Sequence, residues 1–347
     1  MTRPDVLLLS LGTTRGWQVA DALFLEELRA AGARAAAVRV RLGFAGALRR
    51  GYPVNDVVEA IAARRALLAA LAEQSPRSLV ISTVTAALLA PDAGLPFAVR
   101  LDTPASLNRP GARNALVRAL ERRALSRARL LLPWSPAAAG ALPGGAAGAV
   151  VLPPPVVGSG GGGEERRRLA VAYVPDPKAK GLDLVCRAWA SADVDEARLE
   201  VFGIDRARGL RHLARSAVQE PARVEWRGLV PAQDFRAALR RARAFVAAPR
   251  WEDFGQAPLE ALADGALLVT AAAGGAYAAL PIARALDPEL VAERPEALAP
   301  CLRAAFERDE EALARYRAAA AERLAPYRPE AALRSVREEV LPALLGG

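Results

Sequence analysis

A chain of 347 residues, 52% of them hydrophobic and those largely alanine, is too long for one core of ordinary size and suits two α/β domains that each bury a sheet. Its apolar runs, such as Val6–Leu11, are far shorter than the ~20 residues of a bilayer-spanning helix, which argues against membrane spans. Two cysteines, Cys186 and Cys301, and one histidine, His212, are too few for a disulfide scaffold, a His/Cys zinc site or triad chemistry, so no metal and no cofactor is expected. The opening Met1-Thr2-Arg3-Pro4-Asp5 leads straight into a short strand and lacks the layout of an export signal, so the expected compartment is the cytoplasm.

The net charge of +9 is unevenly placed: residues 1–155 hold 19 arginines against 10 acids, whereas 156–347 hold 28 basic against 28 acidic residues. A basic first half suits phosphate-bearing acceptors, an anionic lipid surface at the inner membrane face, or nucleic acid, and composition does not choose among these.

In chain order, an apolar run at Val6–Leu9 leads through a glycine-containing loop to a helix from about Gln18 to Ala31, a βαβ beginning. Strands are expected at Ala35–Val40, Leu79–Ser82, Phe97–Leu101, Arg129–Leu132 and Val150–Leu152, with helices near 54–74 and 110–127, giving a first doubly wound domain over 1–155. The Pro/Gly-rich stretch beginning at Leu152 and ending in Glu164-Glu165-Arg166-Arg167-Arg168 places a linker at 156–168. The alternation restarts at Leu169–Val174. A helix near 181–191 follows, then Arg198–Phe202, a helix near 206–217, Arg223–Arg227, a helix near 232–242, Ala244–Ala248 and Leu267–Ala271. A strand around Ala285–Val291 and helices from 295 onward complete a second domain, 169–330. The tail 331–347 is expected as a helix that packs back on the first domain.

The most informative segment is 245–270, which reads as strand, tight loop, helix and strand. Pro258 suits the first turn of the helix and Gly265 its C-terminal stop. Glu252 then lies in the loop at the carboxyl end of a strand and Glu260 lies in the first turn of the helix. Both acids border the crevice where open α/β sheets bind ligands, beside helix N–H groups that favour phosphate. Carboxylates there accept hydrogen bonds from sugar and ribose hydroxyls.

Here the sequence resembles the retaining glycosyltransferases of family 4, whose frame is Glu-x-Phe-Gly-x-x-x-x-Glu-Ala-x-Ala-x-Gly. It matches at Glu252, Phe254, Gly255, Glu260, Ala261, Ala263 and Gly265. The resemblance implies GT-B architecture, two Rossmann-like domains facing across a cleft, and a nucleoside-diphosphate sugar donor bound mainly by the second. It assigns Lys180, in Lys180-Gly181-Leu182-Asp183, to the donor diphosphate, and the chain's only two lysines, Lys178 and Lys180, both stand in this loop. Val201-Phe202-Gly203 resembles the family's next strand end, and Gly228 and Leu229, within Trp226–Pro231, its nucleobase loop. Gly274-Gly275 resembles the glycine pair beside the phosphates, and Gly12, Thr13 and Arg15 the loop between donor and acceptor. The family's arginine five positions before the lysine is Pro175 here, which shifts diphosphate binding toward Lys180, Arg250 or Arg15. The glutamate three residues after the glycine pair is Ala278. The first-domain histidine is absent, leaving Arg100 and Asp102 as the nearest polar groups on the acceptor side.

The implied chemistry is metal-independent transfer with retention, Glu252 on the reacting sugar and Glu260 on the ribose, to a sugar, lipid or small-molecule acceptor. Arg109, Arg113 and Arg118 are candidates for an anionic acceptor or lipid headgroups. The rival readings are a catalytically silent donor-binding scaffold, suggested by Pro175 and Ala278, and a nucleic-acid binder. The second is disfavoured because the eight-arginine stretch Arg100–Arg129 has no aromatic residues for base stacking.

Overall fold

The computed structural model describes residues 3–43, 51–145, 147–159 and 167–346. The chain divides into two compact units, Met1–Pro155 with Pro326–Gly347, and Val156–Ala325. The first runs β1 (Val6–Ser10), α1 (Arg15–Ala30), β2 (Ala35–Arg39), α2 (Val54–Glu73), β3 (Ser78–Ser82), α3 (Val84–Ala87), β4 (Phe97–Leu101), α4 (Ala105–Asn108), α5 (Ala115–Leu125), β5 (Leu130–Pro133) and α6 (Pro136–Gly140). Its five strands pair in parallel in the order β2-β1-β3-β4-β5.

Strand alternation builds this unit's two cores. Leu7, Leu9, Leu79 and Ile81 enter one cluster with α2, while Val6, Leu8 and Val80 enter the other with α1. Because both faces are covered, β1 and β3 read as unbroken buried runs.

The second unit contains β6 (Arg167–Tyr173), α7 (Leu182–Ala192), β7 (Arg198–Phe202), α8 (Arg206–Arg215), β8 (Val224–Gly228), α9 (Ala232–Arg241) and β9 (Ala242–Ala247). It continues through α10 (Gln256–Ala263), β10 (Leu267–Ala271), α11 (Ala279–Leu286), β11 (Val291–Ala292), α12 (Leu298–Glu307) and α13 (Glu310–Arg323). Its six-stranded parallel sheet has the order β11-β10-β9-β6-β7-β8. The chain ends in α14 (Pro329–Ser335), a π-helical turn and α15 (Leu341–Leu345). Ala332, Val336, Val340, Leu341 and Leu344 of this tail complete the cluster around Val6 and Leu8.

Two expected strands differ. Val150–Leu152 runs beside β5, with Val150 N–H donating to Leu131 O (2.9 Å) and Leu152 N–H to Pro133 O (2.8 Å), but forms no strand. Pro153, Pro154 and Pro155 follow and have no N–H with which to extend a ladder. The strand expected at Ala285–Val291 shrinks to β11, because Ala285 and Leu286 end α11 and Pro288–Leu290 then makes a 3₁₀ turn whose start Asp287 caps. The glycine run 160–163 and Glu164–Arg166 of the expected linker lie outside the described residues. Val156–Ser159 is tied to the second unit, since Ser159 donates to Asp264 through N (2.9 Å) and Oγ (2.6 Å).

Candidate functional site

In the second unit the chain steps outward from β6 to β7 and β8, then returns to the other side of β6 as β9. The β6/β9 boundary is therefore the point where strand order reverses, the place at which open α/β sheets bind ligands. The loops leaving these two strands carry Lys180 and Glu252, whose Nζ and Oε2 lie 2.6 Å apart. Glu252 is 7% exposed, whereas the Lys180 side chain is 29% exposed, so the pair has one dry and one wet member.

Close backbone approach sets this geometry. Gly181 has φ +63°, and a Cβ on it would overlap the Ala248 carbonyl, so the lysine loop presses directly on the end of β9. Arg250 N–H donating to Ala179 O (2.9 Å) fastens the same two loops. On the other side Glu252 N–H donates to Gly274 O (3.0 Å), and Gly275, at φ +106°, sits where a Cβ would collide with the Glu252 carbonyl. The glycine pair thus packs beneath the first glutamate.

Gly255 is the N-cap of α10 and packs on the Tyr277 ring, so the free N–H groups of α10 start within three residues of Glu252. Tyr277 hydroxyl and Thr270 Oγ1 lie 2.9 Å apart in the interior, and burial drives the phenol pKa up. Phe254 is buried and its carbonyl accepts from Ala278 N–H (2.9 Å). Glu260 falls in the second turn of α10 rather than the expected first, because the helix already opens at Gln256; it accepts from Gln256 Nε2 (3.2 Å), and burial raises its carboxyl pKa against the opposing pull of Arg236 and Gln256.

The comparisons with known proteins bear on this unit first. Residues 165–307 match the family model described as "Glycosyl transferases group 1". The second unit is a group 1 glycosyl transferase domain. Over nearly the whole chain, the fold resembles sucrose-phosphate synthase from Thermosynechococcus elongatus, with TM-score 0.71 and 17% identity over 95% of this chain and 96% of that one. HepE from Anabaena in complex with UDP-glucose gives TM-score 0.71 and 14% identity over 97% and 99%. WaaG, a glycosyltransferase involved in lipopolysaccharide biosynthesis, gives 0.66 and 16% over 99% and 100%. At these identities the likeness establishes the fold, which is GT-B. No curated protein matches the chain by sequence.

Within the group 1 domain the remaining expected residues fall at strand ends. Gly203, after β7, packs against Pro175 and donates its N–H to Gly228 O (2.8 Å). Leu229 is 73% exposed beyond β8. Arg250 does not join the Lys180–Glu252 pair: its guanidinium forms a two-pronged pair with Asp183 at the start of α7 (3.0 and 2.6 Å) and donates to Lys178 O (3.0 Å). Asp183, which also meets His212 Nε2 at 3.2 Å, is held below the usual carboxylate range by Arg250 and His212, whose pull exceeds the opposing effect of burial. Sequence reasoning missed this hub because Arg250 and Asp183 are 67 positions apart.

In the first unit, Gly12 and Thr13 follow β1. Gly12 O accepts from Gln18 Nε2 (2.8 Å), and the exposed Arg15 opens α1. Thr83, after the neighbouring β3, has φ +86°, a strained state for a β-branched residue that nothing in the sequence announced. Arg100, expected on the acceptor side, is instead 1% exposed. Its Nη1 lies 2.7 Å from Asp21 Oδ1, and its guanidinium stacks over Phe24 at 4.3 Å, so it offers no donor to a ligand. Asp102 accepts from Trp17 Nε1 (3.1 Å). Arg109 lies over the Tyr52 ring (4.2 Å) and 3.7 Å from Asp56. Among the described residues no three His, Cys, Asp or Glu side chains gather to hold a metal, and no helix is long and apolar enough to cross a membrane.

Proposed function

We propose that the protein transfers a sugar, with retention of anomeric configuration, from a nucleoside-diphosphate sugar to an acceptor hydroxyl. The Lys180–Glu252 pair at the strand-order reversal, beside the free amides of α10, is the observation that carries this reading. When the donor enters, its diphosphate takes Lys180 from Glu252, and the α10 amides add their dipole to the charge that develops on the leaving group. Glu252, freed from the lysine, accepts from sugar hydroxyls, and Glu260 accepts from the ribose. The acceptor hydroxyl enters on the face the leaving group vacates and passes its proton to the departing phosphate, so no protein nucleophile is needed. Lys180 and the helix start provide the positive charge, which makes the reaction metal-independent in this reading.

HepE has been solved with UDP-glucose, so UDP, GDP and ADP with their sugars form the first screen. A thermal shift with one nucleoside diphosphate, and its loss in Lys180→Met, supports the assignment; Glu260→Ala with unchanged donor affinity refutes the ribose role. Product stereochemistry by NMR tests retention, and an unchanged rate in EDTA tests metal-independence.

A cytoplasmic protein that touches an anionic membrane fits the first unit. Leu116 and Leu120 on α5 are 72% and 44% exposed, four residues apart and interleaved with Arg118, Arg122 and Arg123. That is the composition of a surface that seats leucines among lipid headgroups while arginines meet phosphates. Flotation with phosphatidylglycerol vesicles, lost in Leu116→Ser/Leu120→Ser, is the expected result.

A further inference from the structure

Several arginines in the group 1 domain are met by an acid: Arg206 by Glu220, Arg223 by Asp193 and Arg284 by Glu293. One cavity, of about 500 Å³, departs from this pattern. It lies between the loop after β6 and α8, and Lys178, Arg208, Arg211 and Arg215 line it with no acidic partner in ion-pair range among the described residues. The three arginines are spaced three and four apart, which puts them on one stripe of α8, where like charges repel and weaken the helix unless an anion sits between them. The one acid in the lining, Asp176, is committed to its own loop, its Oδ1 accepting from Lys178 N (3.0 Å) and Ala179 N (2.9 Å). Arg250 and His212 complete the wall, both anchored by Asp183. Neither Lys180 nor Glu252 lines the cavity.

We propose that this cavity is a second anion site, taking a small molecule that carries two or more phosphoryl groups. Four cations against the single Asp176 carboxylate leave three positive charges, more than one phosphate balances, and arginine forks match phosphate oxygens two at a time. The lining has no Phe, Tyr or Trp ring on which a base stacks, and its one imidazole, His212, is tied to Asp183, which favours a compact phosphorylated ligand over nucleic acid. Lys178 and Lys180 share one short loop, so an occupied cavity also braces the loop that presents Lys180. The proposal stands apart from the glycosyltransferase reading.

The test is calorimetric titration of the intact protein with inorganic tripolyphosphate at fixed ionic strength. Arg211→Gln/Arg215→Gln should weaken binding about tenfold or more, since each removes charge-assisted hydrogen bonds. The control Arg206→Gln/Arg223→Gln, which removes the same charge from acid-paired positions, should leave binding unchanged, as should Lys180→Met. Circular dichroism melts confirm folding, and Arg208→Gln replaces the double variant if that one unfolds. Equal weakening by the control would reduce the effect to net charge. Loss in Lys180→Met would place the polyphosphate on the donor pair, and tighter binding of a single-stranded oligonucleotide than of tripolyphosphate would make the face a nucleic-acid surface; each of these three results overturns the proposal.

Discussion

The two units each hold a short ion pair built from residues far apart in sequence, and the pairs are made in opposite ways. Arg100, the penultimate residue of β4, still lies within the first unit's sheet and meets Asp21 of α1 in the interior, with Ser10 and Ser82 donating to the same carboxylate (2.5 and 2.6 Å). Lys180 and Glu252 instead stand on loops beyond strand ends, and the lysine reaches solvent. A charge enclosed between sheet and helix keeps one partner because separation leaves it dry and unpaired. A charge on a loop can exchange its partner for a ligand. Whether the charge stands within the sheet or on a loop beyond it, more than residue type, separates fold from chemistry here.

The largest effect expected from this contrast is Arg100→Met, which strands Asp21 and should cost about 3–5 kcal/mol of first-unit stability. Denaturant unfolding of that variant, and of Arg100→Met/Asp21→Leu, which should recover most of the loss, measures it. Lys180→Met should behave inversely, with turnover falling about 10²–10³-fold through lost stabilisation of the leaving group. Its stability should change less than that of Arg100→Met, because the lysine end of the pair meets solvent. A melt that drops as far as that of Arg100→Met would erase the distinction.

The smallest effect is a pH dependence of the first unit. Burial raises Glu27 to about 7 and Glu121 to about 7, against an ordinary value of 4.5. The folded state therefore holds protons that the unfolded state has released, and stability should fall as pH rises from about 4.5 to about 7, then level off. Asp5, held at about 2 chiefly by its hydrogen bond from Arg34, acts in the opposite sense and only below its ordinary 3.8, losing its contribution as pH falls. Glu121 accepts from Ala105 N (2.9 and 3.0 Å), a bond glutamine can keep, so Glu121→Gln should remove that residue's share of the decline. Melting temperatures across pH 5–8 decide this.

Much of the fold was legible because buried parallel strands are continuous apolar runs and the helices between them have a different period. Val6–Leu9, Phe97–Leu101, Arg198–Phe202 and Leu267–Ala271 fall on strands for this reason. The short helices α3, α4 and α6 were not legible, since four or five residues carry no periodicity, and Ala285–Val291 misled because its apolar ends, Ala285-Leu286 and Leu290-Val291, belong to different elements separated by the Asp287-Pro288 turn. In the site, the frame from Glu252 to Gly265 was readable because its residues are local and its spacing is set by one turn and one helix.

The sequence by itself determined two α/β units, the strand–loop–helix corner that bears both glutamates and the lysine loop ahead of it, all of which follow from short-range pattern. Only the tertiary structure decided which charges meet. Arg100 found Asp21 across 79 positions and became part of the core, while Arg250 found Asp183 across 67 and turned away from Glu252. Ion pairs are chosen by distance and desolvation once the sheet has assembled, and neither quantity is written in local spacing.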